Sequence, residues 1–344
     1  MTKQSEETTR ARELLRMING SWIAQACYVM ARLGIPDLLA SGPRTVEELA
    51  ALTDTHAPAL GRLLSALGSV DLCTRRDDGS FEMTALGSLL RDDVPCSMRA
   101  WALQWGGEAW HVWANLLYTV QTGKSARALI TGTPGFVHLD KNPQAAAIFN
   151  RAMADLTRLS AIEIAGAYDF GGKRIMDVGG GWGELLAQIL AAHPDSQGVL
   201  FDMSHAIAKA REHLTGRGLE DRLTFVSGDF FEAVPADADI YLLKSVIHDW
   251  PDERARTILG NVRRALRPEN RLLIIERLMP ERIRPSAEHE ALARSDLHMM
   301  VALAAQERTQ SEMTALARSA GLEVLRHIAA TDFQIVETGA QSAT

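Results

Sequence analysis

The chain has 344 residues, enough for two domains, and its 47% hydrophobic and 23% charged residues are the mix of a folded globular protein. Its formal net charge of −7 argues against a nucleic-acid-binding protein, which needs a basic face to neutralise phosphates. Three cysteines without a C-x-x-C pattern predict free thiols and no metal site, and a polar N-terminus without a signal peptide or membrane segment predicts a cytoplasmic protein.

The first half of the chain is predicted to be helical, because apolar residues recur every three or four positions over residues 10–169. Thr45 and Glu48 form a capping box at the start of one helix. A second helix follows, and then a hairpin whose turn is at residues 77–79. This order is that of a winged helix. Its second helix has a single basic residue, Arg62, so we expect a packing module rather than a DNA reader.

Four tryptophans flank Gly106-Gly107 at helical spacing: Trp101, Trp105, Trp110 and Trp113. Such a stripe is typical of a core, although the glycines also favour two helices that meet at a cleft. A long amphipathic helix then leads to Gly171-Gly172, where the composition changes. We place the domain boundary near Tyr168, which gives a helical domain, 1–168, and a second domain, 169–344.

The second domain alternates apolar strands with helices, which predicts a parallel sheet covered on both faces. Ligands of such sheets bind beyond the carboxyl ends of the strands. The segment "DVGGGWG", residues 177–183, lies at such an end and contains four glycines. We therefore expect a cofactor to lie against this backbone, where any β-carbon would push it away.

The glycine segment does not match the dinucleotide fingerprint G-x-G-x-x-G, whose third glycine would fall at Glu184 or Leu186. A carboxylate beside the segment and another at the helix start would repel a pyrophosphate. They would tolerate the cation S-adenosylmethionine. This argues against a nicotinamide oxidoreductase.

Acidic residues also end the next two strands. Asp202 can accept both ribose hydroxyls of a nucleoside, and Asp229 can accept the adenine amino group while Phe230 covers the ring. Any one of these carboxylates could instead cap a helix. Three at successive strand ends favour a nucleoside ligand, and we expect S-adenosylmethionine.

The later motifs follow one another along the chain as "DVGGGWG", "FDM", "GDFF", "LLKSVIHDWPDE", "IIERLMP", "DLHMM" and "ERTQSE". With this series the chain resembles the S-adenosylmethionine-dependent O-methyltransferases of the plant caffeate and isoflavone type and their bacterial polyketide and phenazine relatives. The resemblance covers essentially the whole chain. It implies an α/β fold: a mostly α-helical winged-helix domain that dimerises, then a Rossmann-like class I methyltransferase domain.

The resemblance implies cofactor contacts at Gly179, Asp202, Asp229, Phe230 and Lys244, and we expect their neighbours Asp177, Gly181, Met203 and Gly228 to join them. It further implies that His248 is the catalytic base, bracketed by Glu276 and Glu307. The chemistry agrees, because an imidazole with a pKa near ~6.5 can take a phenol's proton as attack proceeds, and a carboxylate can hold the ring. Asp249 is also expected to cap the helix that follows.

The wall of the substrate pocket is expected at Trp105, Trp110, Phe149, Asn150, Met153, Asp249, His298, Met299 and Met300. Methionines and flat aromatic side chains suit a planar ring, but they fit core packing nearly as well. Trp182 and Ala304-Ala305 depart from the family pattern, which leaves the substrate open.

The function we expect is O-methylation of a small aromatic secondary metabolite by a homodimer without nucleic-acid or membrane partners. Two alternatives stay open. One is an N-methyltransferase, since a nitrogen acceptor needs less help from a base. The other is a relative that keeps the cofactor structurally for decarboxylation or hydroxylation, although such roles do not need His248 with both glutamates.

Overall fold

The structure, a computed structural model, describes residues 3–341, without the side chains of Lys3 and Asp140. The outermost residues of the two predicted domains, 1–2 and 342–344, lie outside the described residues. The chain forms two compact units: Met1–His111 with Gln144–Asp155, and Val112–Pro143 with Leu156–Thr344. A single cut at Tyr168 does not describe these units, because residues 112–143 and 156–168 pack with the second one.

The first unit is mostly helical. Its elements are α1 (Lys3–Ile18), α2 (Gly20–Arg32), α3 (Ile35–Leu38), α4 (Val46–Thr53), α5 (Ala57–Gly68), β1 (Cys73–Arg75), β2 (Phe81–Met83), a 3₁₀ turn (Gly87–Leu90) and α6 (Arg99–Gly106). Two helices, α7 (Glu108–Trp113) and α11 (Pro143–Ala167), contain residues of both units.

The predicted capping box and hairpin are both present in this unit. The Thr45 hydroxyl accepts the Glu48 N–H at 3.2 Å, and the Thr45 N–H donates to the Glu48 carboxylate at 2.8 Å. Strands β1 and β2 pair antiparallel on either side of the turn at residues 77–79. Leu64 and Phe81 lie in the core under this helix–helix–hairpin element.

The second unit contains a sheet and the helices that cover it. Its elements are α8 (Leu116–Thr122), α9 (Ala126–Thr131), α10 (Val137–Asp140), β3 (Arg174–Val178), α12 (Glu184–Ala192), β4 (Gln197–Asp202), α13 (Ser204–Leu214), β5 (Leu223–Ser227), β6 (Ile240–Lys244), a 3₁₀ turn (Ile247–Asp249), α14 (Asp252–Ala265), β7 (Arg271–Glu276), α15 (Ala287–Leu303), α16 (Gln310–Ser319), β8 (Leu322–Ala330) and β9 (Phe333–Ala340).

The seven strands are ordered β5-β4-β3-β6-β7-β9-β8. The first five are parallel, and β9 runs antiparallel to both of its neighbours. Successive residues of β3, such as Ile175 and Met176, are fully buried in different core clusters, so the sheet is covered on both faces. The predicted α/β fold is confirmed, and the antiparallel pair β8–β9 is an addition to it.

The topology explains where a ligand site forms. From β3 the chain moves outward through β4 and β5, and β6 then returns to the other side of β3. The carboxyl ends of β3 and β6 therefore meet at a topological switch point, where such sheets bind ligands. Among the described residues, no helix combines the length and the apolar character that a bilayer crossing requires.

Candidate active site

The glycine segment after β3 is shaped largely by the packing of the protein itself. A β-carbon at Gly180 would lie 2.5 Å from Asp177, and one at Gly183 would lie 2.9 Å from Leu214 in a left-handed backbone conformation (φ +77°). At Gly181, by contrast, a β-carbon would meet nothing within 4 Å. The expectation that every β-carbon here would displace a ligand is thus wrong, and only Gly181 borders open space.

Asp202, the last residue of β4, connects the glycine segment to the sheet through hydrogen bonds. One carboxylate oxygen accepts the Gly181 N–H at 2.8 Å and the other accepts the Met203 N–H at 2.6 Å. Each carboxylate oxygen has a second lone pair, so the side chain can still accept two ribose hydroxyls. Burial raises the pKa of Asp202, and the two N–H donors oppose that rise.

Asp177 and Lys244 lie at the carboxyl ends of the two strands of the switch point; Asp177 is buried and Lys244 is partly buried. Burial, together with the charge of Asp202, raises the pKa of Asp177 to about 7. Burial lowers the pKa of Lys244 to about 8, although the carboxylates of Glu276 and Asp177 oppose that fall. The Lys244 ammonium donates to the Thr157 hydroxyl at 3.1 Å.

Glu184 does not act as the free charge that the sequence argument assumed. It accepts hydrogen bonds from Arg158 at 2.9 and 3.0 Å, from Arg217 and from His213. Although burial alone would raise its pKa, these donors lower it. The negative charge that disfavours a pyrophosphate at this edge of the sheet therefore comes from Asp177 and Asp202, and Lys244 offsets only one of these two carboxylates. This set fits a cationic nucleoside.

The residues after β5 form a packed aromatic corner. The Asp229 carboxylate accepts the Phe231 N–H at 2.7 Å, and the Phe230 ring lies edge-on to Phe231 and to Trp250. A β-carbon at Gly228 would lie 2.5 Å from the Phe201 ring. The expected adenine contacts of Asp229 and Phe230 stay a prediction, as does the role of Met203, which is about half exposed.

His248 lies in the 3₁₀ turn after β6, with its ring against two glutamates. Its Nδ1 lies 3.0 and 3.1 Å from the Glu307 oxygens and 3.4 Å from Glu276 Oε2. Its Nε2 lies 3.5 Å from Asp249 Oδ1. Because Nδ1 is the ring nitrogen that is hydrogen-bonded to a carboxylate, it carries a hydrogen, and Nε2 is the nitrogen with the lone pair when the ring is neutral.

Both glutamates lie against the ring, but their hydrogen bonds differ. Glu307 makes the hydrogen bond to the imidazole. Glu276 instead uses Oε1 to accept the backbone N–H groups of Val246, Ile247 and His248 at 3.1, 2.8 and 3.2 Å. Glu276 thus holds the backbone of the turn, while its other oxygen has no hydrogen-bond partner among the described residues.

The carboxylates change the acid strength of the imidazole. Burial alone would lower the pKa of His248, but the charges of Glu276, Glu307 and Asp249 together raise it to about 10. The expectation of an ordinary value near ~6.5 is therefore wrong. Burial and the charges of the two glutamates also raise the pKa of Asp249, to about 7.

Asp249 does not cap the following helix, as expected from the sequence. Helix α14 begins at Asp252 with Pro251 at its N-cap position, and no side chain of the described residues caps it. Asp249 stands in the preceding 3₁₀ turn, beside the imidazole. Its charge therefore acts on His248 rather than on the helix.

Several residues that support the site were not predicted from the sequence, although they lie within the quoted motifs or, for Ser295, directly before one. The Ser295 hydroxyl donates to Glu307 at 2.7 Å, and Asp296 accepts the Glu307 N–H at 2.9 Å. Arg308, next to Glu307, is fully buried. Their position beside "DLHMM" and within "ERTQSE" was the available signal.

The expected pocket residues are divided between the two units. His298 and Met299 belong to the second unit, where His298 Nδ1 accepts the Trp113 indole N–H at 3.1 Å. Burial, with the charges of Arg127 and His248, lowers the pKa of His298 to about 3, so its ring is neutral. Met300 packs against a small buried cluster. Of the others, Trp105, Trp110, Phe149, Asn150 and Met153 belong to the first unit, and their pocket role stays a prediction.

Comparison with known proteins identifies the family. Residues 113–323 match the O-methyltransferase domain, and residues 15–93 match the O-methyltransferase dimerisation domain. The chain is 42% identical over 326 residues to phenazine O-methyltransferase PhzM of Lysobacter antibioticus, covering 94% of each chain. The crystal structure of LaPhzM matches with a TM-score of 0.92 and 41% identity, covering 96% of this chain and 99% of that one.

A further structural neighbour bears on the ligands. NcsB1, an O-methyltransferase from neocarzinostatin biosynthesis, was crystallised with S-adenosylmethionine and 2-hydroxy-5-methyl naphthoic acid. It matches with a TM-score of 0.79 and 32% identity, covering 92% of this chain and 96% of that one. The relatives also include proteins named for N-methylation and one named as a hydroxylase.

The fold and the family together define an S-adenosylmethionine-dependent methyltransferase of secondary metabolism. The chain belongs to the O-methyltransferase family, as the resemblance predicts, and it carries that family's dimerisation domain.

Proposed function

We propose that the protein methylates a hydroxyl group of a small, flat aromatic metabolite, with His248 as the base. The observation that carries this is the Glu307–His248 hydrogen bond, which leaves Nε2 as the only ring nitrogen able to take a proton. His248 also follows β6 at the switch point, and β6 pairs with β3, the strand of Asp177. S-adenosylmethionine, when bound, supplies an electrophilic methyl group.

His248 and the acceptor hydroxyl share the proton that must leave the oxygen. At neutral pH the imidazole holds a proton, since its pKa is about 10. The acceptor then binds in one of two forms: as a neutral phenol beside an imidazole that has lost its proton to solvent, or as a phenolate beside the imidazolium. The two arrangements contain the same number of protons. When the oxygen gains its methyl group, the hydroxyl proton remains on Nε2. Glu307 and Glu276 stabilise the resulting imidazolium.

We propose that Asp202 binds the ribose and that Asp229 and Phe230 bind the adenine of the cofactor. Asp177 and Lys244 would face its more polar end. The support is their common position at the carboxyl ends of β3–β6, together with the open space at Gly181.

The test is His248→Ala, with His327→Ala on β8 as a matched histidine control. Turnover of a neutral phenol should fall about 10²–10⁴-fold, the usual share of general base catalysis, and alkaline pH should partly restore it. Affinity for S-adenosylhomocysteine, measured by calorimetry, should stay unchanged. Near-wild-type turnover in His248→Ala would disprove the base assignment.

N-methylation is the second candidate, and one observation favours it. An imidazole that already holds a proton at neutral pH is a poor base, whereas an amine or ring nitrogen with a free lone pair needs none. Matched pairs of aromatic hydroxyl and amine acceptors separate the two. Preferred amine turnover that is insensitive to His248→Ala would establish this alternative.

We also propose that the N-terminal helices form a homodimer. Large apolar side chains on α1 and α2 are 55–69% exposed: Leu14, Leu15, Met17, Ile18 and Trp22. A patch of this kind marks an interaction surface, and the dimerisation-domain match supports a second copy as its partner. Light scattering should give a dimer that Trp22→Glu weakens and Leu325→Glu on β8 leaves intact. A monomer at micromolar concentration would refute the proposal.

A further inference from the structure

The turn that carries His248 follows a strained residue and is short. Ser245 has φ +54°, a left-handed conformation that is unfavourable for a residue with a β-carbon. The 3₁₀ turn itself spans only Ile247–Asp249, and its two backbone hydrogen bonds are long, 3.2 and 3.3 Å. A segment of this kind keeps one conformation only if its surroundings hold it.

Two buried charged side chains provide that support from opposite sides. Glu276 accepts the N–H groups at the start of the turn. Arg308 binds carbonyl groups of the turn: its guanidinium donates to the Ile247 carbonyl at 3.0 Å and to the Trp250 carbonyl at 2.8 Å. The same guanidinium also donates to the Asp252 carboxylate, at 2.8 and 3.0 Å, at the start of α14.

The arginine is not explained by stability alone. Burying a charge is costly, and a buried ion pair can often be replaced by apolar residues without loss of stability. Arg308 is 2% exposed, yet the hydrogen bonds that its side chain makes among the described residues go to the segment 247–252. A planar fork of donors fixes several acceptors at once, which a lysine ammonium cannot do.

The position of Arg308 in the chain links this support to the base. Its neighbour Glu307 holds the imidazole of His248, and the Arg308 carbonyl accepts the Met279 N–H at 2.8 Å. Residue 307 therefore holds the ring of His248, and residue 308 holds the backbone carbonyls on either side of it, those of Ile247 and Trp250. We propose that Arg308 is a positioning residue, which sets the turn so that the His248 ring stays against Glu307 with Nε2 available to the acceptor.

This inference rests on the proposed function of His248, and its test keeps the two apart. Arg308→Lys is compared with Arg222→Lys, because Arg222 donates to three carbonyls elsewhere in the same unit: Leu190, His193 and Ser196. Arg308→Lys should lower kcat about 10–100-fold, the effect of a misplaced catalytic group, and leave KM and the affinity for S-adenosylhomocysteine within about threefold. Arg222→Lys should keep wild-type kcat.

Combination with His248→Ala shows whether the arginine acts through the imidazole. On that background Arg308→Lys should change turnover by less than about twofold, because an arginine that acts only through the imidazole has no effect once the imidazole is gone. An equal loss on both backgrounds, or wild-type kcat in Arg308→Lys, would overturn the proposal. Should Arg308→Lys fail to fold, Asp252→Asn weakens the hydrogen bonds of Arg308 through its more exposed partner. This variant must lower kcat by a smaller factor, and wild-type kcat in Asp252→Asn would overturn the proposal.

Histidine-selective NMR gives a readout that does not depend on turnover. The His248 signal is identified by its absence in His248→Ala. In Arg308→Lys its titration midpoint should fall towards that of an ordinary histidine, as the ring leaves the carboxylates; an unchanged midpoint would refute the positioning role. If His248→Ala stays active while this midpoint still moves, the base assignment fails and the positioning inference stands.

Discussion

The pKa of His248 offers a direct test of how the site works, through the substitution Glu307→Gln. The ring nitrogen Nδ1 lies 3.0 and 3.1 Å from the Glu307 oxygens, nearer than the 3.4 Å to Glu276 and the 3.5 Å between Nε2 and Asp249. Two unit charges about 4 Å apart interact by about 4 kcal/mol at an effective dielectric constant of ~20, which corresponds to about 3 pH units.

The glutamine carbonyl can still accept the Nδ1–H, so part of the attraction survives. We expect the pKa of His248 to fall from about 10 to about 8, within the range of shifts that a nearby opposite charge produces. The imidazole of the variant then loses its proton at a pH about two units lower than in the wild type. As a weaker base, it also gives a lower plateau rate.

The assay is kcat/KM for a neutral phenol between about pH 6 and pH 10. The wild type should rise about tenfold per pH unit through the neutral range, and Glu307→Gln should level off near pH ~8. Glu323→Gln, an exposed glutamate on β8, makes the same chemical change outside the site and should keep the wild-type profile. Superimposable profiles of the wild type and Glu307→Gln would refute this account of the charges.

Four further predictions concern the cofactor, the fold and metals. Asp202→Ala should weaken S-adenosylhomocysteine binding by about 1.5–3 kcal/mol in calorimetry, while the exposed Asp195→Ala should not; equal affinities would remove the ribose assignment. S-adenosylmethionine affinity should rise as pH passes about 7, because Asp177 then ionises and attracts the cation, and Asp177→Asn should abolish that rise. Ala304 has φ +54°, so Ala304→Gly should relieve about 1 kcal/mol and raise the melting temperature by about 2 °C, whereas Ala305→Gly should lower it. Chelation with EDTA should leave turnover unchanged, because the imidazolium proton already balances the carboxylates; a loss that zinc restores would contradict this.

Local patterns predicted the elements that depend on neighbours in sequence. The capping box at Thr45, the hairpin and the alternation of strands and helices all follow from spacings of a few residues. The strand series read from the sequence ended at β7. The antiparallel pair β8–β9 was missed for two reasons. Strand β8 mixes exposed and buried positions, and β9, although mostly buried, contains Gln334, Glu337 and Thr338, so neither has the continuous apolar run of the central strands.

The motifs singled out residues that the structure brings together around His248, but they could not assign the contacts of these residues. Glu276 and Glu307 both precede an arginine, yet one holds backbone N–H groups and the other the imidazole. That difference depends on contacts 28 to 59 residues apart in sequence. The raised pKa of His248 has the same origin, because three carboxylates from separate segments converge on one ring.

The raised pKa also bears on which hydroxyl groups the site favours. Moving a proton from a phenol of pKa ~10 to an ordinary imidazole costs about 5 kcal/mol, and to His248 almost nothing. At pH 7, however, freeing His248 of its own proton first costs about 4 kcal/mol, so the two effects nearly cancel for a neutral phenol. An acidic hydroxyl that arrives ionised avoids this cost and meets an imidazolium of opposite charge. Turnover at neutral pH should therefore rise across a series of substituted phenols as the acceptor pKa falls towards ~7, and a series without that trend would contradict the argument.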